Sequence, residues 1–487
     1  MKKRYLFLPI IFMIISIGLI PLDLFVITIP TWCPFFSVAL TLITMFLFYL
    51  RGHSKKIVKG ILTAFTLLSI SFTLFGVYCN PYWNSYSFKD YDYTEDITHQ
   101  LTYNQAKEDL EYMMKYLSKD HPLFLHSRPT DIQETYDNTL KELKVAKHIT
   151  VNELNQKAQS IVSLLGDAHT TTYPNYEQPH YLKYKQEMRD KGYQLTEVNG
   201  LSLEELFHQK SYLYSFEVES WGLSNLKYDL STLEGLYFLG YNISEGVTYT
   251  YTNSEGDQIS ETFHQNDFIT YEEYLAYYNM QEEKDSSFVS YAINQEKSLA
   301  VLTLTSCQYN EDYRLCLERM FSEIKKNHIQ NVAVDLRGNG GGNSQVADEF
   351  IRYLDIDTYK VGTGNWRLGL FQFKIGSNSQ KNSKNTDLLF TGNVYLLTSS
   401  STFSSGMMFA EFIEDNKLGT IIGEAPGNTP TGYGDIAIFQ LPNSKLCFQV
   451  STKEFFRADI SNTEKLVEPD IPCDSDAAMD ILYTTIE

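Results

Sequence analysis

Three stretches hold residues whose types and spacing could do chemistry: TSSSTFSSG (Thr398–Gly406), DLRGNGGGNS (Asp335–Ser344) and GDAHT (Gly166–Thr170). The first has five serines in nine residues, which fits either a solvated linker or a turn that presents one hydroxyl. An apolar NVYLL precedes it and MMFAEFIED follows, so it reads as a strand-to-helix corner. A serine at such a corner either caps the helix or serves as a nucleophile whose neighbouring amide steadies an oxyanion. A nucleophilic hydroxyl needs a base, because it is barely reactive at neutral pH. Of ten histidines, His169 stands out by sitting among small polar residues in a short turn.

The second stretch has glycine at 338, 340, 341 and 342. Without side chains the backbone can approach a ligand and turn its amides toward negative charge. A Walker phosphate loop requires Lys and Ser/Thr after its last glycine, and here Asn343 follows. The spacing also fits a dinucleotide fingerprint poorly. A glycine turn required only by packing is the other reading. Asp335 and Arg337 read as an ion pair that holds the turn.

These stretches need elements to position them. Thr102 with Gln105 and Thr150 with Glu153 form capping boxes that open two helices. The second, VNELNQKAQSIVSLL, keeps its apolar residues at helical spacing and stops at Gly166, which fixes GDAHT just beyond a helix end. From 287 onward LAVLTL, NVAVDL, NVYLL and GTIIGE alternate with helical patterns, which predicts right-handed crossovers and a largely parallel sheet. Active groups of such sheets gather at the carboxyl ends of the strands, where both unusual turns fall. DIAIFQLP and KLCFQVST read as antiparallel strands completing this core. Residues 175–286 suggest a small mixed or β domain, with SEGD at a hairpin.

The chain of 487 residues has a net charge of -20, unevenly placed. Residues 1–78 hold seven basic residues and one acid, Asp23, leaving 33 basic and 59 acidic residues beyond them. That excess excludes nucleic acid as a natural partner, since phosphate binding needs a basic face. Three apolar runs, Tyr5 to Ile20 and onward, Cys33 to Leu50, and Gly60 to Tyr78, each approach the roughly 20 residues that cross a bilayer. MKKR and RGHSKKIVK place basic flanks on the cytoplasmic side, so the chain after Tyr78 is expected outside the cytoplasm. A cleaved signal peptide is the alternative for the first run, but no small-residue cleavage site follows it. The six cysteines have no metal-ligand spacing, and a disulfide among the last four cannot be assigned.

DLRGNGGG, STFSSGMMFAEFIEDNKLGTIIGE and GDAHT together resemble the tail-specific, or carboxyl-terminal processing, serine peptidases. The likeness is closest to the branch with the tricorn core and the retinoid-binding-protein modules, and covers about Leu101 to Asp474. It implies an α/β, ClpP/crotonase-like peptidase core at 287–487, behind a membrane anchor (1–79), a tether (80–100), a helical part (101–174) and the small domain (175–286). It implies a peptide or protein substrate and no cofactor; the apolar runs imply contact with membrane lipid through residues 5–78, and no metal is expected. The family's nucleophile lies 19 residues before the glycine of a Gly-Glu pair and 11 before an acid; counting back from Gly423 and Asp415 gives Ser404 both times. The resemblance implies an oxyanion hole from Ser405 and the Gly340/Gly341 turn. Lysine-using members carry the base 25 residues after the serine, where this chain has Thr429. The branch that uses histidine matches His169, with Glu464 as the expected orienting acid. The implied activity is that of a membrane-anchored endopeptidase; a binding module that keeps the fold without the chemistry is the alternative.

Overall fold

The computed structural model describes residues 4–25, 29–51, 56–86, 90–94, 96–127, 129–278 and 287–486. Lys2, Lys3 and Lys55 of the expected basic flanks lie outside them. Helices Arg4–Phe25, Trp32–Arg51 and Lys56–Cys79 contain three segments long and apolar enough to cross a membrane. Many of their large apolar side chains, Phe46, Leu67 and Leu68 among them, face outward, while Met13, Met45, Phe48 and Leu62 pack between the helices. Polar and small groups face inward as well: Ser16 Oγ donates to Ser37 Oγ at 2.9 Å, and a Cβ on Gly76 would lie 2.6 Å from Ile20. This inside-out pattern suits helices packed in lipid, where small residues let backbones approach.

The core is a six-stranded sheet in the order Val289–Asn294, Leu299–Leu304, Asn331–Asp335, Asn393–Thr398, Thr420–Gly423 and Ile471–Pro472. The first pair is antiparallel and the rest are parallel. Strand alternation decides which side each residue serves. Val332 and Val334 join Leu317, Phe321, Phe350 and Phe409 of helices Glu311–Asn327, Gln345–Ile351 and Ser405–Asp415. Ala333 turns to the other face, against Leu482 of helix Ala478–Thr485.

DIAIFQLP and KLCFQVST do not complete that sheet. Strands Gly432–Gln440 and Cys447–Phe456 belong to a separate five-stranded antiparallel sheet with Thr363–Leu368, Phe371–Gly376 and Thr171–Tyr173. This sheet packs on helices Tyr103–Asp120 and Val151–Val162 through Phe439, Phe448 and Val450. Both expected capping boxes are present. The stretch expected as a tether is laid along this sheet: Tyr82 OH donates to Asp435 Oδ2 at 2.7 Å and Tyr91 OH to the Ile438 carbonyl at 2.7 Å. The middle region has its own core around a four-stranded antiparallel sheet. Its aromatic-rich part is helical, at Glu219–Asp229 and Leu233–Phe238.

Candidate active site

The central strand Asn393–Thr398 delivers TSSSTFSSG to the carboxyl edge of the parallel sheet. The corner is tied to its neighbours: Thr402 Oγ1 donates to the Leu336 carbonyl at 2.8 Å, and the Phe403 amide to the Asn339 carbonyl at 2.9 Å. Ser404 then adopts φ 53° and ψ -121°, a backbone region that L-residues rarely occupy. Its amide is held by Asn428 Oδ1 at 2.7 Å. Helix Ser405–Asp415 starts at once, yet the Ser404 side chain makes no capping hydrogen bond. The hydroxyl is therefore not spent on the helix.

The glycine turn presses on this corner. Gly341 has φ 98°, and a Cβ there would lie 2.6 Å from Ser404 Cβ and 2.9 Å from the Ser405 nitrogen. Its own amide donates to Asn339 Oδ1 at 2.9 Å. Of the three expected oxyanion donors Gly341 is thus occupied, while the Gly340 and Ser405 amides have no acceptor among the described residues. The Ser405 hydroxyl is structural and donates to the Gly342 carbonyl at 2.9 Å. Asp335 and Arg337 pair through two contacts of 2.8 and 2.9 Å, as the sequence suggested.

His169 follows from Gly166, which takes φ 58° and ends the preceding helix. Asp167 Oδ1 accepts the His169 amide at 2.9 Å, and the Gln449 side chain donates to the His169 carbonyl at 2.7 Å. The ring packs on Phe403 with centroids 4.5 Å apart, and only 8% of the residue is exposed. Neither ring nitrogen has a hydrogen-bond partner, so in this conformation the Ser404 hydroxyl is not bonded to it. Both residues line one cavity of ≈ 810 Å³ with Gly340, Ser405, Thr429 and Asp435. Burial lowers the His169 pKa from its ordinary 6.5, against the opposing charges of Asp167 and Asp435.

The acid beside the His169 ring is Asp167. Its carboxylate lies 3.8 Å from His169 Nδ1 and is fully buried. His121 Nε2, Thr170 Oγ1 and Ser451 Oγ donate to its second oxygen at 3.1, 2.5 and 2.7 Å. The Leu123 amide donates to His121 Nδ1, which leaves the Nε2 proton for Asp167. Burial would raise the Asp167 pKa, but the His121 bond, the two imidazoles and Thr170 outweigh it and hold the carboxyl at about 2. Glu464 does not serve here: it is exposed in a loop and tied there through its backbone, whose amide donates to Asn462 Oδ1 and whose carbonyl accepts from Arg457.

Residues 298–473 match the profile of peptidase family S41. The match spans the five parallel strands of the six-stranded sheet. The chain's fold resembles that of mature CPAF, with TM-score 0.56 at 11% identity over 79% of this chain and 95% of that one. A CPAF mutant gives 0.55 at 12% identity over 78% and 95%, and mature CPAF complexed with lactacystin gives 0.54 at 10% over 79% and 96%. At such identity the likeness is one of fold. No curated protein matches by sequence.

Thr429, which the resemblance sets in place of a lysine, holds a residue that nothing in the sequence singled out. Thr429 donates to Glu217 Oε2 through its amide at 2.8 Å and its hydroxyl at 2.7 Å. Glu217 Oε1 is buried without a partner. Burial pushes this carboxyl up to about 7. Asp167, His169 and Glu217 bring ligand-type atoms within 4.8 Å of one another. Both Asp167 oxygens are engaged, so Glu217 Oε1 and the imidazole are the free atoms left, fewer than a structural or catalytic metal needs. All six cysteines are free thiols.

Proposed function

We propose that the protein is a membrane-anchored serine endopeptidase, with Ser404 as nucleophile and His169 as general base. The observation that carries this reading is the strained, uncapped Ser404 at φ 53°, pinned by Gly341 in a cavity shared with an unpartnered, buried His169. A side-chain rotation that brings Ser404 Oγ to the imidazole lets His169 take the hydroxyl proton as Oγ attacks a peptide carbonyl. The developing oxyanion meets the Gly340 and Ser405 amides. As the tetrahedral adduct collapses, the proton passes to the leaving amine and an acyl ester forms on Ser404; water, deprotonated by the same imidazole, then releases the acid. The Asp167 charge, 3.8 Å from Nδ1, favours the protonated form of the ring in the transition state.

The three apolar helices support anchoring, and the positive flanks support a soluble part outside the cytoplasm. The test is cleavage of a denatured protein by the full chain in detergent. Wild type is expected to cut, and Ser404→Ala and His169→Ala to lose at least about a thousandfold. Equal cleavage by all three would sink the assignment. A non-catalytic binding module is favoured by one observation, the missing Ser404–His169 hydrogen bond. Labelling of Ser404 by a fluorophosphonate separates the two, because a hydroxyl without a base stays unmodified.

A further inference from the structure

A second cavity of ≈ 430 Å³ adjoins the first, with Phe403 and Gln449 lining both. Trp221 of the middle region stacks on Phe403 with centroids 4.1 Å apart and planes at 12°. Tyr176, Tyr214 and Tyr228 add further aromatic wall. Among the described residues the lining contains two acids, Asp229 and Glu234, and no Lys, Arg or His. Glu234 is taken, since its two oxygens accept the amide and Nδ1 of His180 at 2.9 and 2.7 Å.

Asp229 is different. Its Oδ2 accepts from Tyr214 OH at 2.8 Å, and its Oδ1 has no partner among the described residues. The backbone there cannot yield, because Gly235 abuts it so closely that a Cβ would lie 2.3 Å from the Asp229 carbonyl oxygen. A carboxylate in such surroundings is costly to ionise without a cation, and burial accordingly pushes its pKa to about 7. Aromatic faces around it attract a cation too.

We propose that this cavity is a side-chain subsite for arginine or lysine of the polypeptide substrate, with the aliphatic stem along the aromatic walls and the cation on Asp229 Oδ1. The proposal rests on the peptidase reading and gives it a substrate preference. It explains why a half-buried acid, held by one tyrosine, lines a cavity whose wall includes Phe403, the residue before the nucleophile: the substrate supplies the missing charge and donors.

The test separates binding from cleavage. Alanine-rich decapeptides carrying one arginine or one citrulline at each position in turn are titrated calorimetrically into the full-length Ser404→Ala protein in micelles. At one register arginine is expected to bind about tenfold tighter than citrulline, which has its shape without its charge. Asp229→Asn, which keeps the Tyr214 contact, is expected to reduce that ratio to about twofold or less with a melting temperature no lower than that of the parent protein. Equal binding of the two peptides at every register overturns the subsite, whatever the protein cleaves. With the active protein, cut sites in a denatured proteome are expected to carry Arg or Lys at one fixed position, lost in Asp229→Asn. Arginine-selective binding without cleavage would leave the subsite standing and remove the peptidase reading.

Discussion

Asp167 and Glu217 are two carboxylates near one imidazole, and their surroundings drive them apart. Asp167 is held at about 2 by its donors, so it stays charged; Glu217, with two donors on one oxygen and none on the other, is pushed to about 7. Environments that separate a pair of acids in this way assign them different work. With its pKa lowered by burial, His169 remains a neutral base below pH 6.5, so the acidic limb of kcat/KM should fall below that value. Glu217 should add an inflection near neutrality. Glu217→Gln, able to keep both Thr429 contacts, should remove that inflection and lower kcat by about tenfold; a profile unchanged in shape and height would reduce Glu217 to packing. The sequence pointed to Ser404 through two spacings, from Gly423 and Asp415, and to His169 through the short polar turn GDAHT. Glu217 left no such mark: it is one acid in an aromatic stretch, 212 residues from the Thr429 that holds it. Glu464 misled for the converse reason, since being a late acid in the expected place says nothing about which atom faces the site.

Helix Ser405–Asp415 carries the Ser405 amide at its start, next to Ser404, and its far end is clamped by Arg457. That guanidinium, 5% exposed, bonds Asp415 at 2.9 and 3.0 Å, reaches Glu414, and donates to the Glu464 and Leu466 carbonyls at 2.9 Å each. Removing one partner leaves buried Asp415 uncompensated, so Arg457→Met should cost about 3–5 kcal/mol in denaturant unfolding. A loss under about 1 kcal/mol would mean the clamp is dispensable. Elements of this kind were legible where local chemistry fixed them: capping boxes, the Gly166 stop, and the parallel strands with their crossovers. The antiparallel sheet was not. Gly432–Gln440 and Cys447–Phe456 alternate just as core strands do, and their membership depends on partners at 171–173 and 363–376, which no local pattern reveals.

The molecule as a whole buries or half-buries acids in each of its soluble parts. Burial raises Asp120 to about 7, Glu217 to about 7, Asp229 to about 7 and Glu411 to about 8, from ordinary values of 3.8 for Asp and 4.5 for Glu. Each keeps its proton in the folded protein at pH values where the unfolded chain has released it. Folding therefore takes up protons, and stability falls as pH rises from about 4 through about 8. Asp167 acts in the opposite sense: its pKa near 2 lies below the ordinary 3.8, so its contribution is present above about pH 4 and is lost as pH falls toward 2. The two trends place the stability maximum near about pH 4. Calorimetry of the full chain in micelles should give its highest melting temperature there and a decline of several degrees by about pH 8. Glu411 accepts the Ala458 amide through Oε1, a bond that glutamine can also make, so Glu411→Gln should flatten the alkaline side without disturbing the acid side. A melting temperature that holds level or climbs between about pH 5 and 8 would show that these acids ionise without cost in the folded protein.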